Sequence, residues 1–89
     1  MDVIDNAIGR RFEMMVDDEV SFVDYRKDDG RLVLLHAEVP PALEGRGIGK
    51  TLVRGVLDEA RKHGVKVVPL CGFVAAFIKR NPEYLDLVE

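Results

Sequence analysis

Three glycines alternate in the segment 39–50, which reads Val-Pro-Pro-Ala-Leu-Glu-Gly-Arg-Gly-Ile-Gly-Lys. They stand where an apolar strand pattern gives way to an amphipathic helix pattern. The first turn of a helix leaves roughly four N–H groups without partners, and the helix dipole favours an anion there. Because glycine lets an anion approach the backbone closely, this segment predicts a site for a diphosphate and therefore a nucleotide-type ligand.

Two cations flank the glycines, since Arg46 lies between the first two and Lys50 follows the third. The alternative interpretation is structural: alternating glycines also permit tight packing of a helix on a strand. Two known phosphate motifs are excluded. A P-loop requires glycine where this chain has Glu44, and the dinucleotide fingerprint requires glycine where it has Leu52.

Hydropathy patterns predict the elements that position this segment. Strands are predicted at 11–16, 19–27, 31–39 and 65–69, helices at 47–63 and 73–80, and a ragged first strand within 1–10. Asp29-Gly30 predicts a tight hairpin turn between the second and third of these strands. The third strand is apolar enough to predict burial on both faces. The order predicts an α+β (mixed α/β) fold, in which antiparallel strands precede a β-α-β-α unit.

The segments after residue 72 carry two further predictions. The second helix is predicted to turn Phe73, Ala76 and Phe77 inward. The apolar tail 84–88 is predicted to pack back on the body.

Size and composition restrict the class of protein. Eighty-nine residues predict one domain, 1–89, and the net charge of −3 argues against a nucleic-acid binder. The single cysteine cannot form an internal disulfide, which favours a cytoplasmic location. No signal-peptide pattern and no membrane-length apolar run is present, and the scattered histidines and cysteine have no metal-ligand spacing. We therefore expect neither a membrane partner nor a metal.

The glycine segment resembles the acyl-CoA signature of Gcn5-related N-acetyltransferases (GNATs), Gln/Arg-x-x-Gly-x-Gly/Ala after a strand that ends in Val and a Pro. The matching residues are Val39, Pro41, Gly45, Arg46, Gly47, Ile48 and Gly49. Glu44 departs from the pattern, because it stands where Gln or Arg is usual. That departure puts a side-chain contact at this position in doubt, but it leaves the backbone contacts intact.

The resemblance extends to 66–71 and 80–84, and together these segments are similar to the small YjdJ-type acetyltransferase-like proteins. It implies a minimal GNAT-like fold around an acyl-CoA loop, with acetyl-CoA as the bound co-substrate and no metal. The cofactor-binding residues that it implies are Val39, Glu44, Gly45, Arg46, Gly47, Ile48, Gly49 and Lys50. The acceptor is an unidentified amine.

Cys71 is the candidate catalytic residue. It follows the strand 65–69, and the resemblance places it where strand ends part beside the acetyl thioester. A helix N-terminus favours a thiolate, so this thiol could accept the acetyl group or protonate the departing CoA thiolate. The alternative is a small buried hydrophobe. Many family members use a Tyr on the last helix as the general acid, but Phe77 or Ile78 occupies that neighbourhood here. Tyr84 lies beyond Pro82, too far along the chain to replace it.

Two polar groups provide candidates for handling the acceptor. His36 and Glu38 share one face of their strand, so either is a candidate base for the amine, or both are simply strand-edge polar residues. The acidic run 17–19 is a solvated turn or an attractor for a cationic acceptor.

Three functions remain open at this point. The first is an N-acetyltransferase that uses acetyl-CoA. The alternative is a non-catalytic acyl-CoA-binding module that acts through a partner. Typical family members use N-terminal helices to form part of the acceptor pocket, and the lack of those helices and of the Tyr favours this alternative. The third is a structural domain whose glycines serve packing alone.

Overall fold

A computed structural model of the protein describes residues 2–89, and Met1 lies outside them. The strands are β1 (Ile4–Asn6), β2 (Arg11–Val16), β3 (Glu19–Asp28), β4 (Arg31–Glu38) and β5 (Lys66–Pro69). The α-helices are α1 (Ile48–Lys62) and α2 (Gly72–Arg80), and 3₁₀ turns span Pro41–Leu43 and Pro82–Leu87. Within residues 2–89, no helix is both long and apolar enough to cross a membrane.

The strands form one mixed sheet in the order β1-β2-β3-β4-β5. The first four pair antiparallel, and β5 joins β4 in parallel through the crossover helix α1. The predicted hairpin turn is confirmed, because Asp28 pairs with Arg31 and the two intervening residues have φ of 54° (Asp29) and 77° (Gly30). The α+β fold predicted from the sequence is therefore confirmed, with the short β1 as its first strand.

The core lies between one face of the sheet and α1. Phe12, Met14 and Val16 of β2 alternate inward, as the period of a strand requires. The amphipathic pattern of α1 is confirmed, because its buried residues share one face: they are Ile48, Leu52, Val53, Val56, Leu57 and Ala60. The helix ends at Lys62, and Gly64 just beyond it has a φ of +67°, which suits a residue that follows a helix.

Two predictions about burial are confirmed only in part. In β4 only residues 32–34 are buried on both faces, and Leu35 is exposed. In α2 the buried residues are Val74, Phe77 and Ile78, whereas Phe73 and Ala76 face outward.

The C-terminal tail packs back on the body, as predicted. Tyr84 and Leu87 are buried, and Val88 forms a parallel bridge with Val67 at the outer edge of β5. The tail therefore lies against α1 and the sheet, close to the helix face that carries Arg54 and Arg61.

Candidate functional site

The glycine loop, residues 44–50, connects β4 to α1. Buried Leu43 anchors its start, and the Leu43 N–H donates to the Pro40 carbonyl at 2.9 Å. Gly45 and Gly47 have φ of 79° and 73°, and a Cβ at either would meet no atom within 4 Å. The backbone conformation therefore favours glycine at these two positions, and the space beside them is open.

The start of α1 is free of caps. Gly47 is the N-cap residue and no side chain caps the helix, while the first helical hydrogen bond runs from the Thr51 N–H to the Gly47 carbonyl at 3.1 Å. The amides of residues 48–50 precede that bond, and the first turn contains no acidic residue. Open space, uncapped amides and the positive end of the helix dipole together fit a diphosphate.

Gly49 fits the alternative interpretation, in which a glycine permits tight packing. A Cβ there would lie 2.8 Å from Cζ of Phe73 and 3.5 Å from Cγ2 of Val39. The ring of Phe73 therefore rests on the start of α1, which explains why it does not turn inward. The alternating glycines thus divide between two tasks, because 45 and 47 shape the loop and 49 admits an aromatic ring.

The two flanking cations differ in whether an acidic side chain already pairs with them. The Arg46 guanidinium donates to Asp17 in the β2–β3 turn at 2.7 Å, and both side chains are exposed. Lys50 is exposed and, in the described part of the chain, forms no ion pair. An anion at the helix start would therefore meet Lys50 directly, but it would compete with Asp17 for Arg46.

The other residues predicted to bind the cofactor differ in exposure. Ile48 is buried, so only its main-chain groups can face a ligand, whereas Val39 is half-buried. Glu44 is exposed and its N–H donates to the Pro41 carbonyl at 3.2 Å, which leaves its carboxylate beside the loop.

Beyond the loop, β4 and β5 part. Their last paired residues are Leu34 and Pro69, and the Leu34 carbonyl accepts the N–H groups of Leu70 and Cys71, both at 3.0 Å. The strand β4 continues to Glu38, so the edge of residues 35–38 that faces β5 has no strand partner within residues 2–89. Such an edge offers backbone donors and acceptors to an extended ligand.

Apolar side chains surround this opening. Leu35 is 38% exposed, Leu70 is 61% exposed and Phe73 is 46% exposed. All three immediately follow the paired part of β4 or β5, or begin α2. An apolar, extended arm can therefore lie along the unpaired edge of β4.

Cys71 lies where the strands part, at the N-cap position of α2. It is 9% exposed and belongs to the core cluster, so the thiol lies at the boundary between the core and the opening. His36 and Glu38 share a face, as predicted, because they pair with Asp24 and Phe22 in alternate positions. Both are exposed on the face of the sheet opposite α1. On that face the ring of His36 lies edge-on to the ring of Phe22, with the ring centres 6.3 Å apart.

A third cationic residue, Arg54, was not among the predicted site residues. It lies one turn after Lys50 on α1, where it donates to Asn81 Oδ1 at 3.4 Å and to the Tyr84 hydroxyl at 3.3 Å. The Tyr84 hydroxyl in turn donates to Asp58 at 2.8 Å. The spacing of Lys50 and Arg54 was the sequence signal available, because residues four apart share a helix face.

Tyr84 is not placed to act as an acid in the opening. Burial, and next its hydrogen bond with Asp58, raise the pKa of Tyr84 above its usual value. The hydroxyl is also occupied by two partners, Arg54 and Asp58. Its contribution is therefore to hold Arg54.

A basic cleft beside α1 and a second cavity at one end of the sheet are among the cavities of residues 2–89. The basic cleft, of about 380 Å³, lies between α1 and α2 and is lined by Lys50, Arg54, Phe73, Ala76, Phe77, Arg80 and Asn81. The end cavity, of about 310 Å³, is more apolar and lies at the other end of the sheet. It is lined by Asp5, Phe12, Lys27, Gly30, Arg31, Leu32, Glu59, Ala60, His63 and Val65. Of these two, the basic cleft adjoins the glycine loop, because Lys50 belongs to both.

A buried tyrosine lies beside the end cavity. The buried Tyr25 hydroxyl donates to Asp5, and burial together with this bond raises the pKa of Tyr25 to about 12. Tyr25 is therefore protonated at neutral pH. Residues 2–89 contain no grouping of three or more His, Cys, Asp or Glu side chains that could hold a metal ion.

A mixed sheet whose last two strands part beside a glycine-rich helix start is the architecture of a minimal acetyltransferase-type domain. The family model described as GCN5-related N-acetyl-transferase matches residues 11–87. This is most of the chain, and the protein therefore belongs to the GCN5-related N-acetyltransferase family, as the resemblance predicted.

Curated relatives agree with this assignment. The chain is 36% identical over 58 residues to Protein NATD1 of Bos taurus, covering 63% of this chain and 51% of that protein. It is 38% identical over 55 residues to Protein NATD1 of Gallus gallus, covering 60% of this chain and 50% of the relative. The chain thus spans about half the length of the curated relatives it matches.

Proposed function

We propose that the protein binds acetyl-CoA and transfers its acetyl group to an amine. The observation that carries the proposal is the glycine loop, in which open positions at 45 and 47 lead to the uncapped amides of residues 48–50. Membership of the family supports the reaction class. The unpaired edge of β4 and the apolar opening beside it suit the extended arm of the cofactor.

Each part of the site would have a separate task. Bound acetyl-CoA would supply an activated acetyl thioester. The amides of residues 48–50 would hold its diphosphate, and Lys50 would add positive charge. Backbone N–H groups near Val39 would polarise the thioester carbonyl, which favours attack on it.

Proton transfer completes the proposed chemistry. His36 or Glu38 would take a proton from the acceptor ammonium, because only an uncharged amine nitrogen can form the new C–N bond. Cys71 would give its proton to the CoA sulfur as the C–S bond breaks. It would regain a proton from the nitrogen of the tetrahedral intermediate, which loses that proton to become the amide. The acceptor keeps the acetyl group, and the thiol of free CoA leaves.

A second function is a non-catalytic acyl-CoA-binding module. It is favoured because apolar side chains stand where a general acid would be expected. Phe77 and Ile78 are buried and carry no proton to donate, and Cys71 is largely buried. This function shares the glycine loop but needs no proton transfer.

One measurement tests both functions together, and a second separates them. A thermal shift on adding acetyl-CoA or CoA, but not ATP, is expected of both. Release of free thiol from acetyl-CoA over a panel of amines is expected only of the acetyltransferase. A protein whose melting temperature responds to neither CoA ligand contradicts both proposals.

Releasing Arg46 from its partner is expected to strengthen binding. Asp17→Asn removes the charge that competes for Arg46, so affinity for acetyl-CoA should rise about two- to fivefold, the scale of an exposed ion pair. Asp18→Asn is the matched control, because Asp18 has a similar positive φ (63° against 52°). Equal affinities of the two variants, measured by calorimetry, would show that Arg46 does not contact the ligand.

Salt is expected to weaken binding, because the contribution of Lys50 and Arg46 is electrostatic and exposed charges are screened over about 10 Å at 0.1 M salt. Between about 0.05 and 0.5 M salt, affinity should fall roughly tenfold. Lys50→Gln should reduce that slope, whereas Lys62→Gln at the far end of α1 should not. An affinity independent of salt would contradict the proposed role of both cations.

A further inference from the structure

The basic cleft is continuous with the glycine loop. Lys50 ends the loop and lines the cleft, and Phe73 covers Gly49 and lines the cleft as well. One helical turn further on, Arg54 projects from the same face of α1, a rise of about 6 Å along the helix axis. A ligand with its diphosphate on the loop would therefore reach the cleft with the atoms next to that group.

The charges that line the cleft have one sign. Lys50 and Arg54 on α1 face Arg80 on α2, and no acidic residue lines the cleft. Glu83 pairs with Arg54 at 3.7 Å from outside the lining, and that contact is between exposed side chains. The cleft therefore carries net positive charge and suits a second anion.

Arg54 is held in position before any ligand arrives. Its guanidinium lies 5.3 Å from the ring centre of Phe77 and 5.8 Å from that of Tyr84, within the range of cation–π attraction. Asn81 is itself oriented, because its Nδ2 donates to the Phe77 carbonyl at 2.8 Å and leaves Oδ1 to accept from Arg54. A guanidinium already ordered in this way loses less entropy when it binds a phosphate.

We propose that Arg54, positioned by Asn81 and Tyr84 and assisted by Arg80, binds the 3′-phosphate of CoA and of its thioesters. The inference rests on the proposed function and names the form of the cofactor that the site selects. In CoA the 3′-phosphate and the 5′-diphosphate are attached to the same ribose, so this ligand presents two neighbouring anions. The loop takes the first and the basic cleft takes the second. The protein thus binds CoA thioesters more tightly than thioesters that lack the 3′-phosphate.

Calorimetry with CoA and with 3′-dephospho-CoA, at one ionic strength, tests this selection. The wild-type protein should bind CoA at least tenfold more tightly than 3′-dephospho-CoA. Arg54→Gln should reduce that preference to about twofold by weakening CoA alone. Arg26→Gln, which makes the same charge change at an exposed residue outside the cleft, should keep the full preference.

Tyr84→Phe tests the positioning role. It removes the hydroxyl that contacts Arg54 but keeps the buried ring, so the preference should fall about threefold with affinity for 3′-dephospho-CoA unchanged. Equal binding of the two ligands by the wild-type protein would overturn this inference and leave the proposed function standing. Binding of neither ligand would overturn both.

Discussion

Replacing Gly47 with aspartate is expected to lower affinity for acetyl-CoA about 100-fold, a loss of roughly 2.7 kcal/mol in binding free energy. The new carboxylate would stand at the N-cap of α1, next to the uncapped amides proposed to hold the diphosphate. There it would both repel the ligand and cap those amides itself. Calorimetry with acetyl-CoA measures the loss.

Gly47→Asn is the matched control for this variant. Gly47 has a φ of +73° with open space around its Cβ position, and asparagine and aspartate both tolerate that conformation. The two variants should therefore fold with similar stability and differ in charge. If both bind acetyl-CoA as tightly as the wild-type protein, the diphosphate does not lie at the glycine loop.

Removing the thiol is expected to reduce acetyl transfer about 100-fold, the scale of losing a general acid, while acetyl-CoA affinity stays within a few-fold of wild type. The variant is Cys71→Ala, and the measurements are thiol release at saturating amine and calorimetry. The physical reason is the place of Cys71, at the N-cap of α2 beside the separation of β4 and β5.

Because Cys71 belongs to the core, the loss must be distinguished from lost packing. Val74→Ala truncates a fully buried side chain one turn along α2 and serves as the control. It should lower the melting temperature more than Cys71→Ala does, yet keep transfer near the wild-type rate. Transfer at the wild-type rate in Cys71→Ala would reduce this residue to a packing role.

The sequence predicted the parts of the fold that local patterns determine. The amphipathic period of α1, the Asp29-Gly30 turn and the strand over 11–16 follow from local patterns, and each was confirmed. Position along the chain was sufficient for these features, because each depends on residues only a few places apart.

Long-range contacts account for what was missed. Phe73 was expected to turn inward, but its ring packs on Gly49, which is 24 residues earlier in the chain. Arg46 was predicted as a cation beside the ligand site, but its partner Asp17 was not predicted, because that contact joins distant segments. Helical period and composition contain no information about such partners.

The candidate site divides in the same way. The glycine loop could be read from residue types, because positive φ and an uncapped helix start follow from Gly45 and Gly47. The basic cleft could not, since Arg54 gains its partners Asn81 and Tyr84 only when the tail returns to α1. Each residue alone resembles an ordinary surface or core position.

The central claim, that acetyl-CoA binds on the glycine loop, is tested most directly by amide chemical shifts. In a titration of the ¹⁵N-labelled protein with acetyl-CoA, the largest changes should fall on the amides of residues 45–50. Smaller changes should appear along the basic cleft, and the amides of Leu32 and Ala60 in the end cavity should not move. Changes concentrated at the end cavity, or none at millimolar acetyl-CoA, would contradict the account.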